Sequence, residues 1–177
     1  TALAARVAPS QPAQAIASLE YAISLVRGEF LEDVIDGEWH EPLRRAIHKD
    51  VYESLLTLAN LQIECGPAQN AVYTLSLAMH SEPYSEETYC TLMRAHRLRR
   101  DVVQVMQVYR HLSEVLEEEF GVSPTPETAT LYQSIVLALR EEAIADGQSL
   151  DDAGNNPGRA YESRTLRPQP RRRRDKS

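Results

Sequence analysis

The sequence predicts an all-α protein, built as a tetratricopeptide-like stack of about six antiparallel helices with a disordered C-terminal tail. Three observations favour this fold class. Apolar residues recur at spacings of three and four, and no segment shows the alternation of a half-buried strand. Only 8 Tyr, 2 Phe and 1 Trp occur among 177 residues, which is few aromatics for an all-β chain. Glycines and prolines also divide the chain into six apolar-periodic segments.

The first two helices are separated by a segment without helical periodicity. The first helix is predicted over about residues 13–26, and a glycine follows its end. Residues 28–39 place large apolar side chains in acidic surroundings, so we expect Phe30 and Trp39 to be core residues of a structured connection. The second helix is predicted over about residues 41–65 and stops at a Gly-Pro pair.

Four more helices complete the predicted stack. The third covers about residues 68–79, and the fourth begins at Ser85 with acids in its first turn and arginines at its end, as the helix dipole favours. The fifth covers about 101–119, and the sixth follows a cap near Thr125 and reaches about residue 144. The predicted organisation is a flexible segment at 1–12, a helical domain at 13–145 and a disordered tail at 146–177, basic from 159.

The helix starts indicate a degenerate repeat. Residues 68 and 101, where the third and fifth segments begin, lie 33 positions apart, close to the roughly 34-residue tetratricopeptide period. We take these two helices as the first members of helix pairs, because such stacks leave a concave face suited to a peptide or a helix. The candidate groove residues on them are Asn70, Tyr73, Gln104, Gln107 and Arg110.

The net charge of −7 conceals an acidic body and a basic C-terminal end. Residues 159–177 hold eight Lys or Arg and two acids, a charge of +6, which leaves −13 on the rest of the chain. Because affinity for nucleic acid depends on Lys and Arg, we expect such contact only through a domain outside this sequence or through the tail. The tail run either binds nucleic acid or anionic lipid or only solubilises a disordered end. Its residues are Arg171, Arg172, Arg173 and Arg174.

A second basic group lies at the end of the fourth helix and consists of Arg94, Arg97, Arg99 and Arg100. One interpretation is a docking patch for an acidic partner or a phosphate. The other is ordinary charge at a helix C-terminus with salt bridges to neighbouring acids, and we favour this second interpretation.

The sequence contains no motif typical of catalysis, cofactor binding or metal binding. It has no glycine-rich phosphate loop, no HExxH and no CxxC, and its histidines do not combine with a nucleophile and an orienting acid. We therefore expect no enzyme activity and no cofactor. Cys65 and Cys90 lie in apolar helical patterns, so we interpret them as buried free thiols of a cytoplasmic protein. No apolar run reaches the roughly 18 residues of a membrane span.

Three dispersed motifs resemble the bacterial transcriptional activator domain, the tetratricopeptide-like module of the Streptomyces antibiotic regulatory proteins. They are RGEFL at 27–31 with EW at 38–39, EPYSE at 82–86 before LM at 92–93, and LEEEFGVSP at 116–124. The resemblance covers about residues 12–139. Arg99-Arg100 stands where the family has Gly-Arg, and a looser turn is expected there.

The resemblance implies a non-enzymatic regulatory and protein-interaction module of a bacterial transcriptional regulator. In that family the module follows a winged-helix DNA-binding domain, and its implied partner is the transcription machinery or a second copy in a homodimer. Two other functions stay open. One is a docking scaffold in a cell-envelope or signalling protein, and the other is a small-molecule sensor whose groove binds a regulatory ligand.

Overall fold

The computed structural model describes residues 12–26 and 41–147, and all regular secondary structure in these ranges is helical. The helices are α1 (Pro12–Ser24), α2 (Glu41–Cys65), α3 (Ala68–Ser81), α4 (Glu86–Leu98), α5 (Val102–Phe120) and α6 (Pro126–Ala145). The predicted all-α class is confirmed, and each predicted helix end lies within about two residues of the observed end. Phe30, Trp39 and the Arg171 to Arg174 run lie outside the described residues.

Local signals explain the ends of the long helices. The Asp101 side chain accepts a hydrogen bond of 3.1 Å from the backbone N–H of Gln104, which caps α5. At the other end of α5, Gly121 has a left-handed φ of 66°. Its N–H donates to the Glu117 carbonyl, as in the αL cap motif, and the N–H of Val122 donates to the Leu116 carbonyl. Helix α5 is therefore delimited by its own sequence.

The turn between α4 and α5 departs from the expected loose geometry. Arg100 has a φ of 54°, which is unusual for a residue with a side chain. Three backbone hydrogen bonds nevertheless close the turn, from the N–H groups of Arg99, Arg100 and Asp101 to the carbonyls of His96 and Arg97. The left-handed backbone costs about 1 kcal/mol or more in strain, and it lies at Arg100, whereas Arg99, where the family has glycine, has an ordinary φ of −85°.

Each helix packs against the next, and the described helices also contact one another across the stack. Helix α2 contacts α4 and α4 contacts α6, whereas α3 and α5, both fully described, make no contact with each other. The repeated unit is therefore α2 with α3, followed by α4 with α5. The prediction that α3 and α5 open the pairs is wrong, because helix starts 33 residues apart give the period without saying which helix comes first.

The burial pattern repeats with a shift of 34 positions between the two pairs. Seven pairs of positions are buried in both units: Leu55 and Tyr89, Leu58 and Leu92, Ala59 and Met93, Gln62 and His96, Ala71 and Val105, Thr74 and Val108, and Ala78 and Leu112. This spacing is that of a tetratricopeptide repeat. The two pairs thus form one continuous core by stacking.

Two similar contacts join one first helix to the next: Tyr52 and Glu86 lie 34 positions apart, and each contacts the N-cap residue of the next first helix. The Tyr52 hydroxyl of α2 lies 2.6 Å from Ser85 Oγ and 2.9 Å from Thr88 Oγ1, at the start of α4. Glu86 of α4 accepts from the N–H and the hydroxyl of Thr125, the N-cap of α6. Burial raises the pKa of the Glu86 carboxyl, but hydrogen bonds from Thr128 and Thr125 lower it below its ordinary value overall.

The cysteines differ from the prediction of buried thiols. Cys65 is exposed, because it is the last residue of α2, and Cys90 is half-buried with its sulfur 3.4 Å from Thr128 Oγ1. Neither forms a disulfide with a described residue.

Candidate interaction groove

An open cavity of about 580 Å³ lies between α1, α2 and α3, and we call it the α1–α3 groove. Its lining comprises Glu20, Ile23, Ser24, Leu55, Leu58, Gln62, Gln69, Asn70, Tyr73, Thr74 and Leu77. Helix α2 forms the floor, since it packs against both α1 and α3, which make no contact with each other. The volume falls within the roughly 300–1,000 Å³ of sites for small ligands, and an open groove also suits a helix.

A hydrogen-bonded chain of polar groups fixes the floor of the α1–α3 groove. Gln62 is only 2% exposed, and its Oε1 accepts a hydrogen bond of 2.8 Å from Thr74 Oγ1. Its Nε2 donates to Glu20 Oε1 at 3.2 Å. The chain therefore joins all three helices, and it satisfies a buried amide that would otherwise destabilise the fold by about 1–3 kcal/mol.

Apolar side chains form much of the remaining wall. Leu55 and Leu58 are buried on the α2 floor, and Ile23 is half-buried on α1. Tyr73 is 67% exposed and Leu77 is 38% exposed on α3, although both line the groove. Large apolar groups held at the edge of a fixed cavity are typical of interaction sites.

The structure brings together two of the five predicted groove residues. Asn70 and Tyr73 line the α1–α3 groove. On α5, Gln104 Nε2 donates to Gln107 Oε1 at 3.0 Å, and Arg110 is exposed on the same helix. With the 34-residue shift, Gln104 corresponds to Asn70 and Gln107 to Tyr73. The prediction thus found equivalent positions of two helices, but these helices do not share a groove.

Sequence reasoning missed Glu20 and Gln62. A polar residue in the apolar stripe of α2 was the available signal for Gln62, because a buried amide requires partners. No local pattern identified Glu20, which lies 42 positions from its partner.

A second cleft of about 820 Å³ lies along α2 and the start of α4, and several of its charged groups already have partners. His48 contacts Ser81 Oγ at 2.9 Å and Glu82 Oε1 at 3.4 Å. Lys49 lies 3.7 Å from Glu53. These partners belong to the same chain. His48 and Lys49 are therefore less available to bind another molecule than their place in the cleft lining indicates.

Two members of the basic group at the end of α4 also pair within the chain. Arg97 Nη2 and Arg100 Nε each lie 3.4 Å from a Glu142 oxygen on α6, and Arg100 also contacts Asp146. Arg94 and Arg99 are exposed. The salt bridges of Arg97 and Arg100 agree with the favoured interpretation of this group.

Within the ranges that the structure describes, no cluster of three His, Cys, Asp or Glu side chains has the geometry to hold a metal ion. None of the described helices combines the length and apolarity needed to cross a membrane.

A stack of helix pairs whose buried positions repeat with a shift of 34 residues defines a class, the tetratricopeptide-like helical domains. The family model described as "Bacterial transcriptional activator domain" matches residues 1–136, and the chain belongs to this family. The family resemblance is thereby confirmed.

Curated relatives are transcriptional regulators from mycobacteria. EmbR of Mycobacterium tuberculosis is 25% identical over 153 residues, which cover 86% of this chain and 39% of EmbR. MoaR1 of the same species is 29% identical over 126 residues, covering 71% of this chain and 40% of MoaR1. The chain thus spans about two-fifths of the length of these relatives.

A solved structure has the same fold. Mycobacterium tuberculosis EmbR, in complex with a low affinity phosphopeptide, superposes with a TM-score of 0.60 at 26% identity. The match covers 80% of this chain and 35% of that chain.

Proposed function

We propose that this chain is a non-enzymatic regulatory module of a bacterial transcriptional regulator and that it binds the transcription machinery through the α1–α3 groove. The observation that carries the proposal is the fixed floor of the groove, in which Gln62 is bonded to both Glu20 and Thr74. A site formed before binding loses less conformational entropy when a partner docks. Asn70 and Tyr73 are the proposed contact residues at its edge.

The lining of the groove also indicates which partners it excludes. Phosphorylated segments are recognised by arginine clusters. The described lining contains a carboxylate, Glu20, and no Lys, Arg or His. We therefore propose a non-phosphorylated partner here, although the EmbR structure contains a phosphopeptide.

Nucleic-acid binding is assigned to other parts of the regulator. We propose that a domain outside this chain, or the run from Arg171 to Arg174, contacts DNA. The chain without residues 159–177 has a net charge of −13, which disfavours contact with phosphates. Arg94 and Arg99 are a secondary candidate for acidic partners, because they are exposed beside the paired Arg97 and Arg100.

The test uses the full-length regulator and transcription from its target promoter with purified RNA polymerase. Tyr73→Arg introduces a bulky cation at the edge of the groove, and we expect activated transcription to fall by about tenfold, as for an aromatic residue at the centre of an interface. Gln107→Arg is the matched control, because it changes the equivalent exposed position on α5. DNA affinity and melting temperature should be unchanged in both variants. Equal transcription by the two variants would refute the proposal.

A further inference from the structure

We infer that the occupant of the α1–α3 groove is an amphipathic helix of about two turns that presents an apolar stripe and one lysine or arginine to Glu20. The inference rests on the proposed function, because it specifies the chemistry of the partner segment that the same groove receives.

The charge of the groove selects a cation. Glu20 is the single charged group in the described lining. Its side chain is exposed, and its described partner is the neutral amide of Gln62, which donates to Oε1 at 3.2 Å. The hydrogen bond holds the carboxylate at the edge of the groove, where the other described lining residues are uncharged. An incoming ammonium or guanidinium would therefore find an oriented acceptor.

The length of the groove fixes the size of the occupant. Its α3 wall extends over the nine residues from Gln69 to Leu77, or about 12 Å along the helix axis. This length equals about two turns of a bound helix, which places anchors at positions i, i+3 or i+4, and i+7. Ile23 and Leu77 offer apolar surface to such a stripe, and the buried Leu58 also lines the groove. The amides of Gln69 and Asn70 form a polar rim.

The walls favour a helix over an extended segment. The floor and both described walls of the groove are helices, whose backbone groups are bonded internally. A strand laid in the groove would find no free sheet edge with which to pair its own N–H and C=O groups. A helix satisfies these groups by itself and contributes only side chains. The groove therefore matches the helix-in-groove mode of recognition.

The experiment selects peptides from a displayed library of helix-forming 14-residue sequences, with the 177-residue chain as bait. Counter-selection against Tyr73→Arg removes peptides that bind elsewhere on the chain. We expect the surviving peptides to share an apolar stripe and one Lys or Arg. In fluorescence anisotropy, replacing that basic residue by Gln should weaken binding about two- to fivefold, the range for an exposed ion pair.

Glu20→Gln is the matched variant, because its amide oxygen can still accept the hydrogen bond from Gln62. In this variant the basic peptide and its Gln form should bind equally, and added salt should no longer weaken binding. Three outcomes would overturn the inference: no groove-dependent peptide, surviving peptides rich in acids or prolines, or a basic preference that persists in Glu20→Gln. In each of these cases, loss of transcription in Tyr73→Arg would still support the proposed function and would separate the two claims.

Discussion

The two helix pairs of the stack bury equivalent positions, but they differ in the hydrogen bonding of a buried polar side chain. In the first pair, Gln62 is bonded on both sides, to Thr74 and to Glu20. In the second pair, the equivalent His96 is 4% exposed, and its Nδ1 has no hydrogen-bond partner among the described residues. Val108 stands where the first pair has Thr74, so the hydroxyl that would reach the buried side chain is missing.

This difference shows that burial of the two positions is needed for stacking, whereas hydrogen bonding of the buried polar group is not. Stacking demands that both positions be buried, and each pair meets this demand. The first pair, together with Glu20 of α1, surrounds its polar residue with bonded neighbours and lines a groove beside it. A satisfied polar network beside a cavity fixes the shape of that cavity, whereas an unsatisfied group only costs stability. We therefore propose that the first pair is the one specialised for binding.

The largest expected effect tests whether the two pairs share one core. Leu112 is fully buried in the second pair, at the position equivalent to Ala78. Leu112→Ala should lower the free energy of unfolding by about 2–5 kcal/mol, because it leaves a cavity. Urea denaturation measures this loss. A change below about 0.5 kcal/mol, as at a surface position, would contradict the shared register.

A smaller loss of stability is expected when the residues at the equivalent positions 74 and 108 are exchanged between the two pairs. Thr74→Val should cost about 1–3 kcal/mol, because it leaves the buried Gln62 Oε1 without its donor. The reciprocal change, Val108→Thr, should cost less than Thr74→Val, because the new hydroxyl can donate to His96 Nδ1. Both free energies of unfolding come from the same denaturation assay. Equal losses of stability would mean that a hydroxyl at position 108 does not reach His96 as the Thr74 hydroxyl reaches Gln62.

The smallest expected effect is a pH dependence confined to the second pair. Burial lowers the pKa of the His96 imidazole; Asp101 opposes this shift and Arg99 adds to it. Below about pH 6.5, the unfolded chain therefore binds a proton more readily than the folded chain at this site. The free energy of unfolding should fall as the pH drops through this window and should fall less steeply in His96→Gln. Identical slopes between pH 5 and pH 7.5 would contradict the assignment.

Much of the fold was predictable because its signals are local. Glycines, prolines and capping residues such as Asp101 and Thr125 delimit helices wherever they occur, and these helix ends agree with the structure. The phase of the repeat was not predictable from helix starts. It depends on which helices touch across the stack, and α2, α4 and α6 are far apart in sequence.

The groove was predictable only in part for the same reason. Asn70 and Tyr73 stand out as polar or aromatic residues on a helix, but their partners depend on how α1 and α2 are placed. The Glu20–Gln62 contact spans 42 residues, and the bond between Arg97 and Glu142 spans 45. Such contacts are properties of the packed stack, and no periodicity in the sequence encodes them.

The central claim is that the first pair, and not the second, carries the partner site. Its most direct test is the affinity of the 177-residue chain for purified RNA polymerase, measured by titration with Tyr73→Arg and Gln107→Arg in parallel. The account predicts that Tyr73→Arg weakens binding by about tenfold and that Gln107→Arg stays within about twofold of the unchanged chain. Equal weakening by both variants would contradict the account, and so would an unchanged chain that does not bind.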